Sequence, residues 1–307
     1  MHVRKQASVF LWAQWVIEAA LWFALMGLFR LLPIEWASGL GGWAMRKIGP
    51  LLSAHKTALI NIKLVFPDLS EARRKKLALA CWDNLGRIAG EFPHLNELRP
   101  FDEGGRVEVY GQEHLQAIID EQKPAVLISG HFANWEVMAA AICQGGLPAR
   151  VSFRHANNPW IDRSITRIRL AYGIPELSAK GGAGAKEMLE AMKQGQSVTF
   201  LNDQKFNQGI AVSFFGQELM TAPGPARLAL RFDAPILPVS IVRLPKARFR
   251  VNFHPPLSVS THADRNVAIA QTVEQINQFL EARIVRHPES WFWVHRRWPK
   301  ETYKKSV

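Results

Sequence analysis

Cysteine is scarce in this chain, with only Cys81 and Cys143 among 307 residues. Two isolated cysteines in apolar, helix-like surroundings do not form a disulfide framework, and they are typical of a reducing compartment. The Cys/His spacing of metal sites is also missing, so we expect neither a metal ion nor a redox cofactor.

The sequence has no internal repeat and no long low-complexity linker, and 48% of its residues are hydrophobic. This composition is that of a globular protein with a substantial core.

Acidic residues are outnumbered by basic ones. The chain carries 38 Lys and Arg residues against 26 Asp and Glu residues, which gives a formal net charge of +12. Such a surface favours polyanionic partners, which include nucleic acid, anionic lipid, phosphorylated substrates and acidic proteins. A basic surface that only keeps the protein soluble is the alternative, and composition alone does not decide between them.

One long apolar run stands out, over residues 8–32, and it contains three tryptophans. It is long enough to cross a bilayer, although Gln14 and Glu18 inside it make full spanning costly. Because no convincing signal-peptide cleavage site follows, we predict that residues 1–33 form an uncleaved membrane anchor or an interfacial helix. A buried core helix is the alternative. Residues 34–307 then form the remaining domain.

Basic residues are frequent just after the apolar run. Their excess predicts that the remainder of the chain lies on the cytoplasmic side of the membrane. These residues are Arg30, Arg46, Lys47, Lys56 and Lys63.

Strand-like and helix-like segments alternate along the rest of the chain. This order predicts an α/β fold, a mixed sheet flanked by helices, behind the N-terminal membrane helix. The predicted strands cover residues 107–110, 125–128, 149–153, 196–201, 234–242 and 248–253. The predicted helices cover residues 71–91, 112–122, 134–143, 159–172, 185–193 and 267–286.

The stretch 125–136 joins the second of these strands to a helix and reads Ala-Val-Leu-Ile-Ser-Gly-His-Phe-Ala-Asn-Trp-Glu. His131 therefore lies at the carboxyl end of a buried strand, where open α/β sheets bind ligands. Its imidazole titrates near neutrality, and the carboxylate of Glu136, five residues later, is suited to hold it in the tautomer that accepts a proton. A capped or solvated histidine without a catalytic role is the alternative for such a turn.

His131-x-x-x-x-Glu136 resembles the His-x4-Asp/Glu motif of the glycerolipid acyltransferase-like superfamily. The sequence Gly-His-Phe-Ala-Asn-Trp-Glu is similar to the motif of one branch of this superfamily. That branch contains the lauroyl/myristoyl acyltransferases, which add secondary acyl chains to lipid A. Ordered matches extend over roughly residues 60–300, and residues 288–298 resemble the C-terminal signature of that branch. Glycerol-phosphate acyltransferases carry Pro-Glu-Gly where this chain has Asn-Asp-Gln at residues 202–204, which argues against a glycerol-phosphate acceptor.

The resemblance implies roles for individual residues. His131 is expected to be the general base and Glu136 the acid that orients it. Asp203 and Gln204 follow a predicted strand that ends at the same sheet edge as His131. The further substrate-binding residues that we expect are Asn134, Arg154, Asn157, Asn158 and Arg167.

Two arginines of the helix 159–172 receive opposite predictions. Arg167 is expected to contact a negative oxygen during the reaction, whereas an exposed basic helix face is the alternative. Arg169 lies roughly 160° from Arg167 around the helix, so it is expected to be nearly silent.

The function implied by the resemblance is acyl transfer from a thioester to a lipid hydroxyl, with no cofactor. The donor is expected to be acyl-acyl carrier protein, or acyl-coenzyme A, and the acceptor a lipid A precursor or another anionic glycolipid. The enzyme would sit at the bacterial inner membrane with its catalytic domain facing the cytoplasm. Two alternatives remain: an acyltransferase for a mannolipid or an amino-acid lipid, and a basic membrane-anchored binding protein. No nucleic-acid-binding module is recognisable, so we expect no nucleic-acid partner.

Overall fold

The computed structural model describes residues 9–175, 177–179 and 182–304. Within these residues a seven-stranded mixed sheet, in the order β1-β9-β8-β2-β5-β3-β4, is flanked by helices, so the predicted α/β fold is confirmed. A two-stranded hairpin, β6-β7, forms a separate small sheet. The strands are β1 (Val107–Tyr110), β2 (Val126–Ser129), β3 (Ala149–Phe153), β4 (Leu177–Ala179), β5 (Ser197–Leu201), β6 (Ile210–Phe214), β7 (Gln217–Thr221), β8 (Ile236–Leu244) and β9 (Arg248–Phe253).

The centre of the sheet is parallel. Strand β2 pairs in parallel with β5 on one side and with β8 on the other, and all four of its residues are buried. This is the setting in which a strand reads as a continuous apolar run, as residues 125–128 do. Strand β9 runs antiparallel to β8 and parallel to β1, which makes the sheet mixed.

Helices cover the sheet and extend the chain at its N-terminal end. Helix α6 packs against β3 and β8, α8 against β3 and β5, and α9 against β2. The helices are α1 (Val9–Leu31), α2 (Ile34–Ile48), α3 (Ser53–Val65), α4 (Glu71–Glu91), α5 (Gln112–Asp120), α6 (Trp135–Gln144), α7 (Pro159–Ala171), α8 (Gly182–Lys193), α9 (Gly224–Phe232), α10 (Arg265–Arg286) and α11 (Lys300–Lys304).

Helices α2 and α4 are in backbone contact. A Cβ atom added to Gly86 would lie 2.0 Å from the carbonyl oxygen of Gly41, and one added to Gly90 would lie 2.2 Å from that of Ala37. No side chain fits at these crossing points, so glycine is required for the close approach. This close contact extends to Gly90, next to the last residue of α4.

Helix α1 follows the surface of the domain instead of leaving it. It is the one described helix that is long and apolar enough to cross a membrane by length and composition. Near its start, the Asn158 side chain donates to the carbonyl of Trp15 at 2.8 Å, and at its end Arg30 pairs with Glu97 at 3.2 Å. Its outward side remains apolar and exposed, as Leu21 at 66% illustrates.

The tryptophan-rich C-terminal segment crosses the edge of the sheet at which β2 ends. Trp291 forms an isolated antiparallel bridge with Phe132, and the Asn61 side chain holds the carbonyls of Trp293 and His295, each at 2.7 Å. We call residues 287–295 the C-terminal strap. Because Trp291 and Trp293 are both buried, the strap is part of the core and fixes the turn that follows β2.

Candidate active site

His131 and Asp203 meet at the carboxyl edge of the sheet because their strands are adjacent. Ser129 at the end of β2 lies beside Leu201 at the end of β5, and each site residue comes two positions later. His131 Nδ1 lies 2.7 Å from Oδ1 of Asp203, and the His131 backbone N–H donates to Oδ2 at 2.9 Å. The prediction that these residues share one sheet edge is therefore confirmed.

Asp203 is held as a carboxylate. Its side chain is 2% exposed, and the Trp291 indole N–H donates to Oδ2 at 2.8 Å. Burial by itself would raise the pKa of Asp203, but the charge of His131 and the hydrogen bonds from His131 and Trp291 outweigh it and hold that pKa well below its usual range. The carboxylate is thus ionised at any physiological pH.

The carboxylate selects one tautomer of the imidazole. With Nδ1–H donating to Asp203, Nε2 carries the lone pair, and the side-chain amide nitrogen of Gln204 lies 3.4 Å from it. The imidazole is 13% exposed, so a small group can approach its ring. A base with a free lone pair and a buried orienting carboxylate is the arrangement needed to accept a hydroxyl proton.

Aromatic rings enclose the imidazole. The His131 ring centroid lies 5.3 Å from that of Trp135 and 5.8 Å from that of Phe292, which belongs to the C-terminal strap. These rings restrict rotation of the imidazole and exclude water from two sides. Charged groups interact more strongly in such a setting than in open solvent.

The turn that carries His131 is tightly constrained. A Cβ atom on Gly130 would lie 2.7 Å from the Phe132 ring, so only glycine leaves room there. Ala133 has φ of +39°, a strained value for a residue other than glycine, and its N–H donates to the Ser290 carbonyl at 2.9 Å. The strap therefore holds the turn in a conformation that it would not adopt alone.

Glu136 does not occupy its predicted position against His131. Its carboxylate accepts two hydrogen bonds from Arg169, Nε to Oε2 at 2.8 Å and NH2 to Oε1 at 2.5 Å. The two side chains are 6% and 17% exposed, so this is a nearly buried bidentate ion pair between α6 and α7. The predicted orienting acid is corrected to Asp203, because Glu136 lies in the first turn of α6 and its side chain faces α7.

Arg169, which the sequence analysis expects to be nearly silent, makes a contact that is not predicted. Arg169 is the arginine that contacts a residue of the catalytic motif, and Arg167 is exposed. Two helix positions correspond to about 200°, so only one of the two can face α6. Arg154 and Asn157 are also exposed, in the loop before α7. Contact of Arg154, Asn157 or Arg167 with substrate stays a prediction.

Two predicted substrate-binding asparagines are helix caps instead. Asn134 is fully buried, accepts from the backbone N–H of Glu136 at 3.3 Å, and donates to Glu91 at 2.9 Å. Asn158 caps α7 by accepting from the Trp160 N–H at 3.0 Å, and its amide group binds α1. Capping asparagines and ligand-binding asparagines look alike in sequence, and burial distinguishes them here.

A buried ion pair supports the turn from below, and the sequence analysis does not predict it. Glu91, at 0% exposure, accepts from both terminal nitrogens of Arg243 on β8 and from Ser38 on α2 at 2.7 Å. The same carboxylate receives the Asn134 amide, which joins the pair to the cap of α6. Glu91 is the last residue of a long helix and Arg243 follows an apolar strand, so neither position carries a local signal of this contact.

Sequence patterns do not predict the aromatic contacts that the C-terminal strap makes with Asp203, through Trp291, and with His131, through Phe292. Trp291 and Phe292 lie within residues 288–298, which resemble a family signature, but no local pattern assigns them a contact with His131 or Asp203. Among the described residues, no group of three or more His, Cys, Asp or Glu side chains is arranged to hold a metal ion.

The sequence is similar over most of its length to that of known acyltransferases. The family model described as Bacterial lipid A biosynthesis acyltransferase matches residues 5–300. The lipid A biosynthesis lauroyltransferase of Escherichia coli K12 is 25% identical over 298 residues, which cover 93% of this chain and 91% of that protein. The lipid A biosynthesis myristoyltransferase of the same organism is 23% identical over 245 residues, 79% of this chain and 74% of that protein.

A relative with a different named acceptor is the phosphatidylinositol mannoside acyltransferase of Mycolicibacterium smegmatis. It is 25% identical over 222 residues, which cover 69% of this chain and 70% of that protein. The family model nevertheless covers almost the whole chain, including β2, the His131 turn and the C-terminal strap. The chain is therefore an acyltransferase, and it belongs to the bacterial lipid A biosynthesis acyltransferase family.

Proposed function

We propose that this enzyme transfers an acyl chain from acyl-acyl carrier protein to a hydroxyl group of a lipid A precursor. The observation that carries the proposal is the contact of His131 Nδ1 with the buried carboxylate of Asp203, on an imidazole that is still 13% exposed. Family membership supplies the reaction class, and the names of the relatives supply the lipid A acceptor.

His131 acts as the general base. Its Nε2 removes the proton of the acceptor hydroxyl as the oxygen attacks the carbonyl carbon of the thioester. The tetrahedral intermediate then collapses, the C–S bond breaks, and the imidazolium returns the proton to the leaving thiolate. The products are the new ester and the free thiol of the carrier, so no protein nucleophile and no cofactor take part.

Asp203 makes the base effective. It keeps the proton on Nδ1 before the reaction and stabilises the positive charge that the imidazole gains during it. Because the carboxylate is already ionised and hydrogen-bonded, the protein does not have to reorganise when this charge develops.

The oxyanion of the intermediate needs hydrogen-bond donors. Helix α6 begins at Trp135, four residues after His131, so the positive end of its dipole lies next to the catalytic turn. We assign the stabilisation of the oxyanion to this helix start. Arg167 is the alternative donor and would have to turn from its exposed position towards the crevice.

Glu136 and Arg169 position the catalytic turn. Their ion pair fixes the first turn of α6 against α7, and α6 starts directly after the segment that carries His131. An error of about 1 Å in the placement of a base can cost about 100-fold in rate. The pair thus contributes through geometry and not by exchanging a proton with substrate.

Helix α1 is proposed to lie in the membrane interface. Its 23 residues span about 35 Å, but the domain contacts both its start, at Trp15, and its end, at Arg30. A helix that crossed the bilayer would draw the contacting parts of α7 and of the 3-10 turn at Phe92–Glu97 into the hydrocarbon. In the interface, its exposed apolar side enters the lipid while the domain stays on the cytoplasmic face of the bacterial inner membrane.

Both the acyl donor and the lipid acceptor are expected to carry negative charge. A net charge of +12 favours both the acidic carrier protein and lipids with phosphate groups. Acyl-coenzyme A is the other possible donor, since it presents the same thioester.

The test is acyl transfer by the purified full chain in mixed micelles, followed by mass spectrometry of the lipid. Acyl-acyl carrier protein and acyl-coenzyme A are compared as donors with a lipid A precursor as acceptor. The product should gain one acyl chain, and His131→Ala should lower the rate about 100-fold to 10,000-fold. The control is His262→Ala, which removes an exposed histidine before α10. Unchanged transfer by His131→Ala would refute the mechanism, and a lipid A precursor that stays unmodified would refute the acceptor.

A mannolipid acceptor is the second candidate. It is favoured by the similarity to the phosphatidylinositol mannoside acyltransferase, although that match covers less of this chain than the lauroyltransferase does. The same assay with a phosphatidylinositol mannoside as acceptor separates the two, because only the preferred lipid gains the acyl mass at a high rate.

A further inference from the structure

A second cavity lies next to the catalytic turn. It shares Phe132 with the turn, but His131 is not among its lining residues. Its volume of about 360 Å³ is within the range of about 300–1,000 Å³ that small-molecule pockets occupy. Strands β8 and β9 form the floor, and the C-terminal end of α10 forms the wall.

The floor is polar because polar and apolar side chains alternate along β9. Arg250, Asn252 and His254 point to the cavity side, whereas Val251 and Phe253 between them are buried in the core. Successive residues of a strand face opposite sides of a sheet, so this pattern is built into the sequence Arg-Phe-Arg-Val-Asn-Phe-His. One face of the β8-β9 pair is thus a polar surface covered by α10.

The lining is cationic and includes no carboxylate among its described residues. Arg250 is neutralised by Glu108, which accepts from its Nε at 2.9 Å and its NH2 at 2.8 Å. Arg283 and Arg286 have no ion pair with a carboxylate among the described residues. The basic and imidazole side chains of the cavity are Arg250, His254, Arg283, Arg286 and His287.

Arg283 carries a buried donor without an acceptor. Its Nε has no hydrogen-bond partner among the described residues, while its guanidinium carbon lies 5.7 Å from the Phe279 ring centroid. Buried donors of a charged group are normally paired, because leaving them unpaired forfeits hydration without compensation. Arg283 is itself one of the residues that line the cavity, so a ligand there would meet its side chain.

The pKa values of two lining groups are lowered mainly by burial and, after burial, by nearby positive charges. Burial, followed by the charges of Arg283 and His114, lowers the pKa of His254 to about 4. Burial and the charge of Arg286 lower the pKa of Arg283 as well. An anion in the cavity would offset both charge effects.

The dipole of α10 does not account for these features. Cations near a helix C-terminus are favoured by the dipole, which explains why Arg283 and Arg286 occur in the last turn. It does not explain a cavity between them and the sheet. Surface arginines that only complement a dipole would remain hydrated.

We propose that this cavity binds a phosphoryl group, with the guanidinium groups of Arg283 and Arg286 as its principal donors. Guanidinium forks match the paired oxygens of a phosphate, and the side-chain amide of Asn252 adds a further donor from the floor. The cavity leaves room for the organic part of a phosphorylated compound. The ligand is either a phosphorylated lipid headgroup or a soluble phosphate compound, and its binding does not depend on the proposed acyl acceptor.

The first experiment titrates the full chain in detergent with inorganic phosphate and measures the heat of binding. Wild type is compared with Arg283→Gln and Arg286→Gln. The matched control is Arg265→Gln, which removes an exposed arginine at the opposite end of α10. We expect saturable binding to wild type and to Arg265→Gln, and an affinity lower by about tenfold or more in the other two, since each loses charge-assisted hydrogen bonds.

The second experiment identifies the source of the phosphoryl group. Sedimentation with phosphatidylcholine vesicles is compared with and without phosphatidic acid, whose headgroup is a phosphate monoester. Retention that depends on phosphatidic acid and falls in Arg286→Gln assigns a lipid headgroup. Dependence on the arginines for inorganic phosphate alone assigns a soluble compound.

The first experiment also has an outcome that would refute the phosphoryl site. Arg286 is exposed, so Arg286→Gln is expected to fold even if Arg283→Gln does not. If wild type shows no saturable phosphate binding, or if Arg286→Gln binds phosphate as tightly as Arg265→Gln does, the cavity is not a phosphoryl site.

Discussion

His131 Nδ1 and Asp203 Oδ1 are separated by 2.7 Å, although the two residues lie 72 positions apart in the chain. They meet because β2 and β5 are neighbours that end at the same edge of the sheet. The carboxylate accepts a hydrogen bond from Trp291 and keeps the imidazole proton on Nδ1, so Nε2 is the nitrogen that we propose as the base. The active site therefore depends on strand order as much as on the motif that contains His131.

We expect Asp203→Asn to lower the turnover number by two to four orders of magnitude with little change in overall fold. The amide keeps the size of the side chain, but it cannot stabilise an imidazolium by charge and it weakens control of the tautomer. Initial rates and circular dichroism measure the two effects. Asp120→Asn, at the exposed end of α5, is the control. If Asp203→Asn retains most of its turnover, a residue other than Asp203 must orient His131.

Acid should remove the stabilisation that Asp203 provides. Its folded-state pKa lies well below the unfolded value of about 3.9, because the interactions with His131 and Trp291 outweigh burial. The unfolded state therefore binds the proton first as the pH falls. The contribution to the free energy of unfolding is complete above about pH 4 and is lost as the pH drops towards the folded-state pKa.

Denaturant unfolding of wild type and Asp203→Asn at pH 6 and at pH 3 measures this effect. The difference in free energy of unfolding between them should be smaller at pH 3. A difference that does not change with pH would show that the carboxylate makes no charge-dependent contribution to stability.

Arg169→Lys should lower both the rate and the melting temperature, whereas Arg167→Lys should change neither appreciably. Lysine keeps the charge at position 169 but cannot form the two-pronged contact with Glu136, and the partner is buried. Breaking a buried pair by removal of one partner costs about 3–5 kcal/mol, so the lysine variant should lose part of that amount. Surface substitutions usually stay within about 0.5 kcal/mol.

Rates and melting temperatures of the two lysine variants are measured side by side. Equal effects at both positions would remove the Glu136–Arg169 pair from the support of the catalytic turn. A large effect at Arg167 alone would restore the role that sequence analysis predicts for it.

Removal of residues 1–32 should release the protein from membranes and weaken its use of a membrane-embedded acceptor. The reason is that α1 presents the apolar exposed side that the interface would bury. Sedimentation of membranes at high salt measures attachment. A truncated protein that still sediments would move attachment to the exposed tryptophans of α2, Trp36 and Trp43, which are 73% and 53% exposed.

Much of the fold follows from local sequence patterns. The apolar run before His131 predicts β2, the alternation of residues 248–253 predicts β9, and the start of α4 at Glu71 follows from the cap at Ser70, which accepts from the Arg73 N–H. Strand β4 and the β6-β7 hairpin are not predicted. Strand β4 has three residues, and the hairpin turn relies on positive φ at Phe215 and Gly216.

The sequence by itself determined the strand–turn–helix around His131, the family, and the delivery of Asp203 and Gln204 to the same sheet edge. These features depend on local periodicity and on the rule that neighbouring parallel strands end together. They can therefore be predicted from the sequence before any tertiary contact is known.

Only the tertiary structure decided which carboxylate meets His131, which arginine meets Glu136, and which asparagines are caps. Helical periodicity gives the angle between Arg167 and Arg169 but not the direction in which either one points, because that is set by the packing of α7 against α6. Likewise, Glu136 is close to His131 in sequence, yet the strained turn at Ala133 and the start of α6 direct its side chain to α7. Strand adjacency brings Asp203 to the imidazole instead, and no local pattern encodes that distance.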